Sequence, residues 1–241
     1  MTTFFNQTLE NRLCTTTEFR LVTSILPPKR SFIIGFVNPF SYMLVAGEGR
    51  IVNSFDLWFV DGALLRYLTN IRRTKKLERI SFDFSSVAGD LMSLSSKLSL
   101  NVALIGGNID ELRRAKAFLE SKYPNLRIIF SHHGFFCKNL WSKVIERITV
   151  SKPDLIVVGL GSPLQENFVL KLKGSLVKPA LLFTCGGFIS QTGSNGDYYP
   201  VWVNKLGLRW AYRALMEKHV RLRLLKNYPI FVLRYLLERK K

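Results

Sequence analysis

The sequence predicts an α/β fold, a Rossmann-like parallel sheet flanked by helices with a basic helical C-terminal appendage. Three observations predict it. Short β-rich apolar runs alternate with stretches of helical spacing, the signature of βαβ units and a doubly wound sheet. Three of those runs end in Gly-rich, polar turns, and sheets of this kind bind ligands beyond the carboxyl ends of their strands. Residues 205–241 carry 11 Lys or Arg against 2 acids, half of the net +18 of the 241-residue chain.

Taken in order, residues 31–37, 101–105, 127–130, 155–159 and 180–184 are bounded by Gly, Pro, Asn or Asp and read as buried parallel strands. Residues 110–122 and 140–150 have helical periodicity. Composition shifts near Tyr198, which predicts a core of residues 1–198 and an appendage of residues 199–241. In that appendage Arg209, Arg213, Arg221, Arg223, Lys226 and Arg234 alternate with Leu206, Trp210, Leu215, Leu224, Leu225, Phe231, Leu233 and Leu236. A basic amphipathic pattern of this kind suits a surface of phosphates with apolar material beneath, such as an anionic membrane. The plainer reading is a solvated basic helix packed on its own domain. Trp202 and Trp210 fit either packing or a membrane interface.

Composition removes several classes. With 47% hydrophobic residues the chain has enough apolar side chain for a large core, which argues against disorder. The longest apolar runs, such as 155–160 and 229–233, are far shorter than the ~18 residues of a membrane span. The opening MTTFFNQTLENRLC has neither the basic nor the apolar stretch of an export signal. Cys14, Cys137 and Cys185 have no metal-ligand spacing and read as reduced packing thiols. His132 and His133 are adjacent and, if extended, point to opposite faces, so no metal pair is predicted there. Neither a metal nor a cofactor is expected.

Three loops are candidates for chemistry. In the first, Gly106, Gly107 and Asn108 close one strand before a helix, where a ligand can approach the backbone and the helix N-terminus. The second, Gly159-Leu160-Gly161-Ser162-Pro163-Leu164-Gln165-Glu166, is a strand-to-helix junction with Ser162 as N-cap, Pro163 in the first turn and Gln165 in the capping box. It lacks the third glycine of a dinucleotide fingerprint. The third loop runs from Cys185 through Gly186, Gly187 and Ser190 to Gly193. Any one of them is as well explained by turn chemistry; three on one sheet edge favour a phosphate-bearing ligand.

These residues also carry a resemblance. VDG at 60–62, ALIGGN at 103–108, HGFF at 133–136, GLGSPLQE at 159–166 and PVWVNKLGLRWAYR at 200–213 resemble, in order and spacing, the WecG/TagA/CpsF glycosyltransferases, family 26. The resemblance covers about residues 33–223. It implies an inverting, metal-independent transfer of a sugar from a UDP donor to a polyprenyl-diphosphate-linked saccharide, at the inner face of the bacterial membrane. The sugars it implies are N-acetylmannosamine, its uronic acid, glucose or glucuronic acid. Self-association stays open.

The family pattern implies a role for each matching residue. Asp61 matches the proposed general base, which takes the proton of the acceptor hydroxyl; a simple Asp-Gly turn is the rival reading. Asn38 matches an asparagine near the donor, with Phe36 standing where relatives have threonine. Gly106, Gly107, Gly159, Gly161, Pro163, Gln165, Glu166 and Gly187 fall on the donor loops. Arg79 and Asp83 match a paired position that also suits a structural ion pair. Ser190 stands where relatives often have Asp. Arg213, Arg221 and Arg223 match, with imperfect register, arginines that stabilise the leaving diphosphate.

Two other classes fit parts of the sequence. A nucleic-acid-binding α/β protein is also strongly basic, but the charges here are interleaved with Leu and Phe and no RNP motif is present, so no nucleic-acid partner is expected. A non-catalytic scaffold of a polysaccharide assembly complex is suggested by Phe36 and Ser190.

Overall fold

The computed structural model describes residues 6–71, 73–195, 203, 209–216 and 218–238, without the side chains of Asn195, Arg209, Trp210, Arg213, His219 and Arg223. Helices α1 (Gln7–Asn11) and α2 (Thr16–Thr23) precede β1 (Phe32–Val37), and α3 (Pro39–Val45) and α4 (Gly49–Ser54) lead to β2 (Leu57–Val60). Next come α5 (Ala63–Asn70), α6 (Ala88–Lys97), β3 (Asn101–Gly106), α7 (Ile109–Lys122) and β4 (Arg127–His132). A short 3-10 turn (Lys138–Leu140) enters α8 (Trp141–Ser151), followed by β5 (Leu155–Gly159), α9 (Leu164–Lys173), β6 (Leu181–Thr184) and α10 (Phe188–Asn195). At the C-terminus α11 (Arg209–Met216), α12 (Lys218–Leu222), a π-helical turn (Arg223–Asn227) and α13 (Tyr228–Glu238) follow one another.

The strands form one six-stranded parallel sheet in the order β2-β1-β6-β5-β3-β4. All five strands expected from the sequence are present. The sixth, β2, is four residues long with Trp58 at its centre, too short for period or length to announce it. Apolar side chains alternate between two cores, as strand geometry requires. Ile33, Val37, Ile105, Ile156 and Leu182 meet α3, α4, α8 and α9 on one face, while Ile34, Leu104, Val157 and Phe183 meet α2, α6, α7 and α10 on the other. Helices on both faces explain why the strands read as continuous apolar runs.

The end of the chain joins the first of these cores. Phe231 and Tyr235 of α13 are fully buried and pack edge-on against Tyr42 of α3. Both tyrosine hydroxyls donate to Glu10 Oε1, Tyr235 at 2.8 Å and Tyr42 at 3.1 Å, and Arg73 pairs with the same carboxylate. Burial and the neighbouring Glu10 carboxylate push the Tyr42 phenol far above its usual range, so it serves as a fixed donor. Four residues distant in sequence thus clamp α13 to α1 and α3.

Candidate active site

Because every strand is parallel, all six carboxyl ends open on one edge, and Asn38, Asp61, Gly106, Gly159 and Gly187 end or follow strands there. At the β2 end Asp61 follows Val60 directly, and its N–H donates to Val37 O at 2.8 Å. Gly62 adopts φ 92°, a conformation that favours glycine and lets α5 start at once. The segment 77–83 returns beside β2, held by Ile80 N–H to Val60 O at 2.9 Å, and this sets Arg79 next to the strand end. Arg79 Nη2 lies 3.3 Å from Asp61 Oδ1 and 2.8 Å from Asp83 Oδ2. Asp83 is itself fixed by the Ser81 hydroxyl at 2.5 Å and the Ser85 N–H at 2.9 Å. One guanidinium is therefore shared by two carboxylates. Asp61 remains 28% exposed.

Beside it at the β1 end, Asn38 caps α3: Oδ1 accepts from Phe40 N at 3.0 Å and Ser41 N at 3.1 Å. Its carbonyl oxygen is thus engaged in holding the helix. Phe36 points into the opposite core, 5.8 Å from Phe59 and 6.1 Å from Phe82 between ring centroids. The position where the family resemblance implies a threonine is here part of an aromatic cluster.

The glycine loops pack on one another. A Cβ at Gly106 would stand 2.6 Å from Gly159 O, and one at Gly159 would stand 2.5 Å from Gly186 O. Gly107 O accepts from Gly134 N at 2.7 Å. These glycines let the β3, β5 and β6 loops touch backbone to backbone, a contact the sequence showed only as ligand approach. Gly161 and Gly186, both at positive φ, face open space, and Gly187 is exposed at the same edge.

At the β5 loop the predicted cap is different. Helix α9 begins at Leu164 with Pro163 in the capping position, and the Ser162 hydroxyl reaches past it to Glu166 Oε1 at 2.8 Å. Gln165 is no capping-box partner: its Nε2 donates to Glu166 Oε1 at 2.9 Å, and its Oε1 accepts from Gly186 N at 3.2 Å. Glu166 is fully buried, and burial pushes its carboxyl above the usual range against the opposing hydrogen bonds from Gln165 and Ser162. Ser190, on α10, joins it to α7 by donating to Glu111 Oε2 at 2.8 Å.

The two histidines also depart from expectation. His132 ends β4 and the chain then turns at Gly134, so the rings stack with centroids 4.7 Å apart instead of facing opposite ways. Phe136 packs edge-on against His132 and against Phe168 of α9. Among the described residues no group of three or more His, Cys, Asp or Glu is placed to hold a metal, and no helix is long and apolar enough to cross a membrane. Arg221 is exposed on α12, and the side chains of Arg213 and Arg223 lie outside the described residues, as does Trp202.

Sequence reasoning missed the clamp of Glu10, Tyr42, Arg73 and Tyr235, which no local motif announces, and the Ser162 to Glu166 bond, which the i, i+4 spacing within the loop motif does contain.

Comparison with known proteins bears on the same edge. The model of the glycosyl transferase WecG/TagA/CpsF family matches residues 8–241. A Shigella boydii protein named UDP-Gal:α-D-GlcNAc-diphosphoundecaprenol β-1,4-galactosyltransferase is 35% identical over 219 residues, covering 90% of this chain and 91% of its own. An N-acetylglucosaminyldiphosphoundecaprenol N-acetyl-β-D-mannosaminyltransferase of Staphylococcus aureus strain MW2 is 32% identical over 131 residues, 54% of this chain and 50% of that protein.

Proposed function

This chain belongs to the WecG/TagA/CpsF family of glycosyltransferases, and from that premise we propose that it moves a hexose from a UDP-sugar to a polyprenyl-diphosphate-linked saccharide, with inversion and without a metal. The observation that carries the reading is the Asp61 carboxylate, partly exposed at the β2 carboxyl end and held by a guanidinium that Asp83 holds in turn. An acceptor hydroxyl oxygen attacks the anomeric carbon of the donor while its proton passes to Asp61. The bond from that carbon to the diphosphate oxygen breaks, and UDP leaves with the electron pair. Attack opposite the leaving group inverts the centre. Both relatives are named for β-linked products, and the usual α-linkage of UDP-hexoses makes inversion the consistent outcome.

Charge develops on the departing diphosphate. Arg213, Arg221 and Arg223 are the cations assigned to it, since bidentate guanidinium groups stabilise such charge without a divalent ion. The open loops at Gly161, Gly186 and Gly187, the adjoining Gly106, Gly107 and Gly159, and the α9 start at Pro163, Gln165 and Glu166 form the donor side. Asn38, Arg79 and Asp83 border the Asp61 side, and Ser190 supports the donor side through Glu111.

Residues 199–241 serve as the appendage that meets an anionic membrane surface. Leu215, Met216, Leu225, Ile230 and Leu233 are exposed beside Lys218, Arg221 and Lys226, and basic residues near such a surface contribute about 1 kcal/mol each. On this reading the enzyme works at the inner face of the membrane, where the lipid-linked acceptor lies.

A panel of UDP-hexoses, led by UDP-galactose, tested with a polyprenyl-diphosphate N-acetylglucosamine acceptor decides the matter. UDP release should require the acceptor and survive excess EDTA, and the product should be β-linked. No release from any UDP-hexose, or an α-linked product, would contradict the reading.

A further inference from the structure

Glu166 sits in the first turn of α9 with no exposure, facing hydrogen-bond donors and no ion-pair partner among the described residues. Its Oε1 accepts from both Ser162 Oγ and Gln165 Nε2, while Oε2 is buried without a hydrogen-bond partner among the described residues. An ionised carboxylate is very costly in such a place unless paired, so burial favours the protonated acid. Oε1 serves in either form as a fixed acceptor.

What Glu166 fixes lies on two loops. Gln165 is 3% exposed, and its amide has two nearly isosteric ends. The Glu166 acceptor demands the Nε2 end, which leaves Oε1 to take the Gly186 N–H at 3.2 Å. Glu166 thereby sets which way the amide points, and the amide joins the β5 loop to the β6 loop. The same oxygen restrains the Ser162 hydroxyl, beside the open Gly161.

We propose that Glu166 is a positioning residue: through Gln165 and Ser162 it locks the β5 and β6 loops into one rigid edge that holds the diphosphate of the donor nucleotide. This deepens, and rests on, the donor site proposed above. The role is distinct from that of Asp61, because Glu166 exchanges no proton with the substrate.

The test uses the full chain, with UDP as the binding probe and UDP-hexose turnover as the second readout. Glu166→Ala should weaken UDP binding and raise KM for the donor by about tenfold or more, with kcat changed less, as loss of loop positioning does. Glu166→Gln keeps an oxygen where the two hydrogen bonds are accepted, and should recover most of that loss. If Glu166→Ala does not fold, Gln165→Leu supplies the same reading, because it cuts the link to Gly186 and should weaken UDP binding in the same direction. UDP binding at wild-type strength by a folded Glu166→Ala, or by Gln165→Leu in its place, would overturn the proposal. So would a Glu166→Gln variant that binds UDP normally yet loses about 100-fold in kcat, the mark of a proton-transferring carboxyl. Wild-type protein that binds no UDP would remove the donor site itself and this proposal with it, a failure separable from the other two.

Discussion

Asp61 and Glu166 stand at the same edge of one sheet and are opposite in every physical respect. Asp61 is 28% exposed and paired with Arg79, which also meets Asp83. Glu166 is 0% exposed, receives two neutral donors, and has its carboxyl raised by burial. Desolvation favours the neutral form of Glu166, whereas Asp61 meets solvent and a guanidinium. The proposed division between proton acceptance and the holding of loops thus follows environment, since Asp and Glu differ by one methylene.

The largest effect that sharpens this comparison comes from the appendage, whose arginines are the cations proposed above for the leaving diphosphate. Replacing Arg213, Arg221 and Arg223 together by Ala should cut kcat by about 10²-fold or more, in line with losing preorganised stabilisation of a leaving anion. The thermal transition should move little, because the buried anchors of the tail are Phe231 and Tyr235. Deleting residues 199–241 is a coarser change: it opens the core at those anchors, so loss of transfer there mixes chemistry with folding. A triple variant with wild-type kcat would leave the tail arginines without a catalytic part.

Next in size is Arg79→Ala, which frees Asp61 and Asp83 from their shared partner. It should lower kcat about tenfold through misplacement of Asp61, read in the same turnover assay, and Arg79→Lys should recover part of the loss because a single nitrogen, Nη2, meets both carboxylates. Tyr235→Phe removes one hydroxyl from Glu10 and should cost about 1–2 kcal/mol, seen as a fall of about 2–8 °C in Tm with kcat unaffected.

The smallest effect tests the neutrality of Glu166. Its folded carboxyl binds a proton more tightly than the unfolded one, so its contribution to stability is complete below the unfolded value and is lost as pH rises toward the folded value. Gln has no such loss. The Tm of Glu166→Gln minus that of wild type should therefore increase from pH 4 to pH 8, the other titrating groups cancelling in the difference. A flat difference would mean that Glu166 is not held neutral.

How much of this was legible depends on how local each signal was. The inner strands announced themselves because helices cover both faces and their residues are nearly all apolar, whereas β4, at the sheet edge, alternates buried and exposed residues. Strand β2 escaped because LWFV is too short to carry a pattern, although the VDG match placed Asp61 at its end. The loop GLGSPLQE pointed to Gln165 and Glu166 but not to their roles, since which carboxylate is buried depends on how α9 lies against β6. Glycines at 106 and 159 read as room for a ligand, whereas much of that room is taken by the neighbouring loops. The clamp was invisible: Tyr42 and Tyr235 stand 32 and 225 residues from Glu10, and only the folded sheet brings them together.

The central claim, that one carboxylate does chemistry while the other holds the loops, is tested most directly by kcat for two isosteric changes measured side by side with saturating donor and acceptor. Asp61→Asn should lose about 10²-fold or more, the usual contribution of a general base, while Glu166→Gln should stay within about fivefold of wild type because it keeps the accepted hydrogen bonds. Wild-type turnover by Asp61→Asn, or a Glu166→Gln loss as large as that expected of Asp61→Asn, would contradict it.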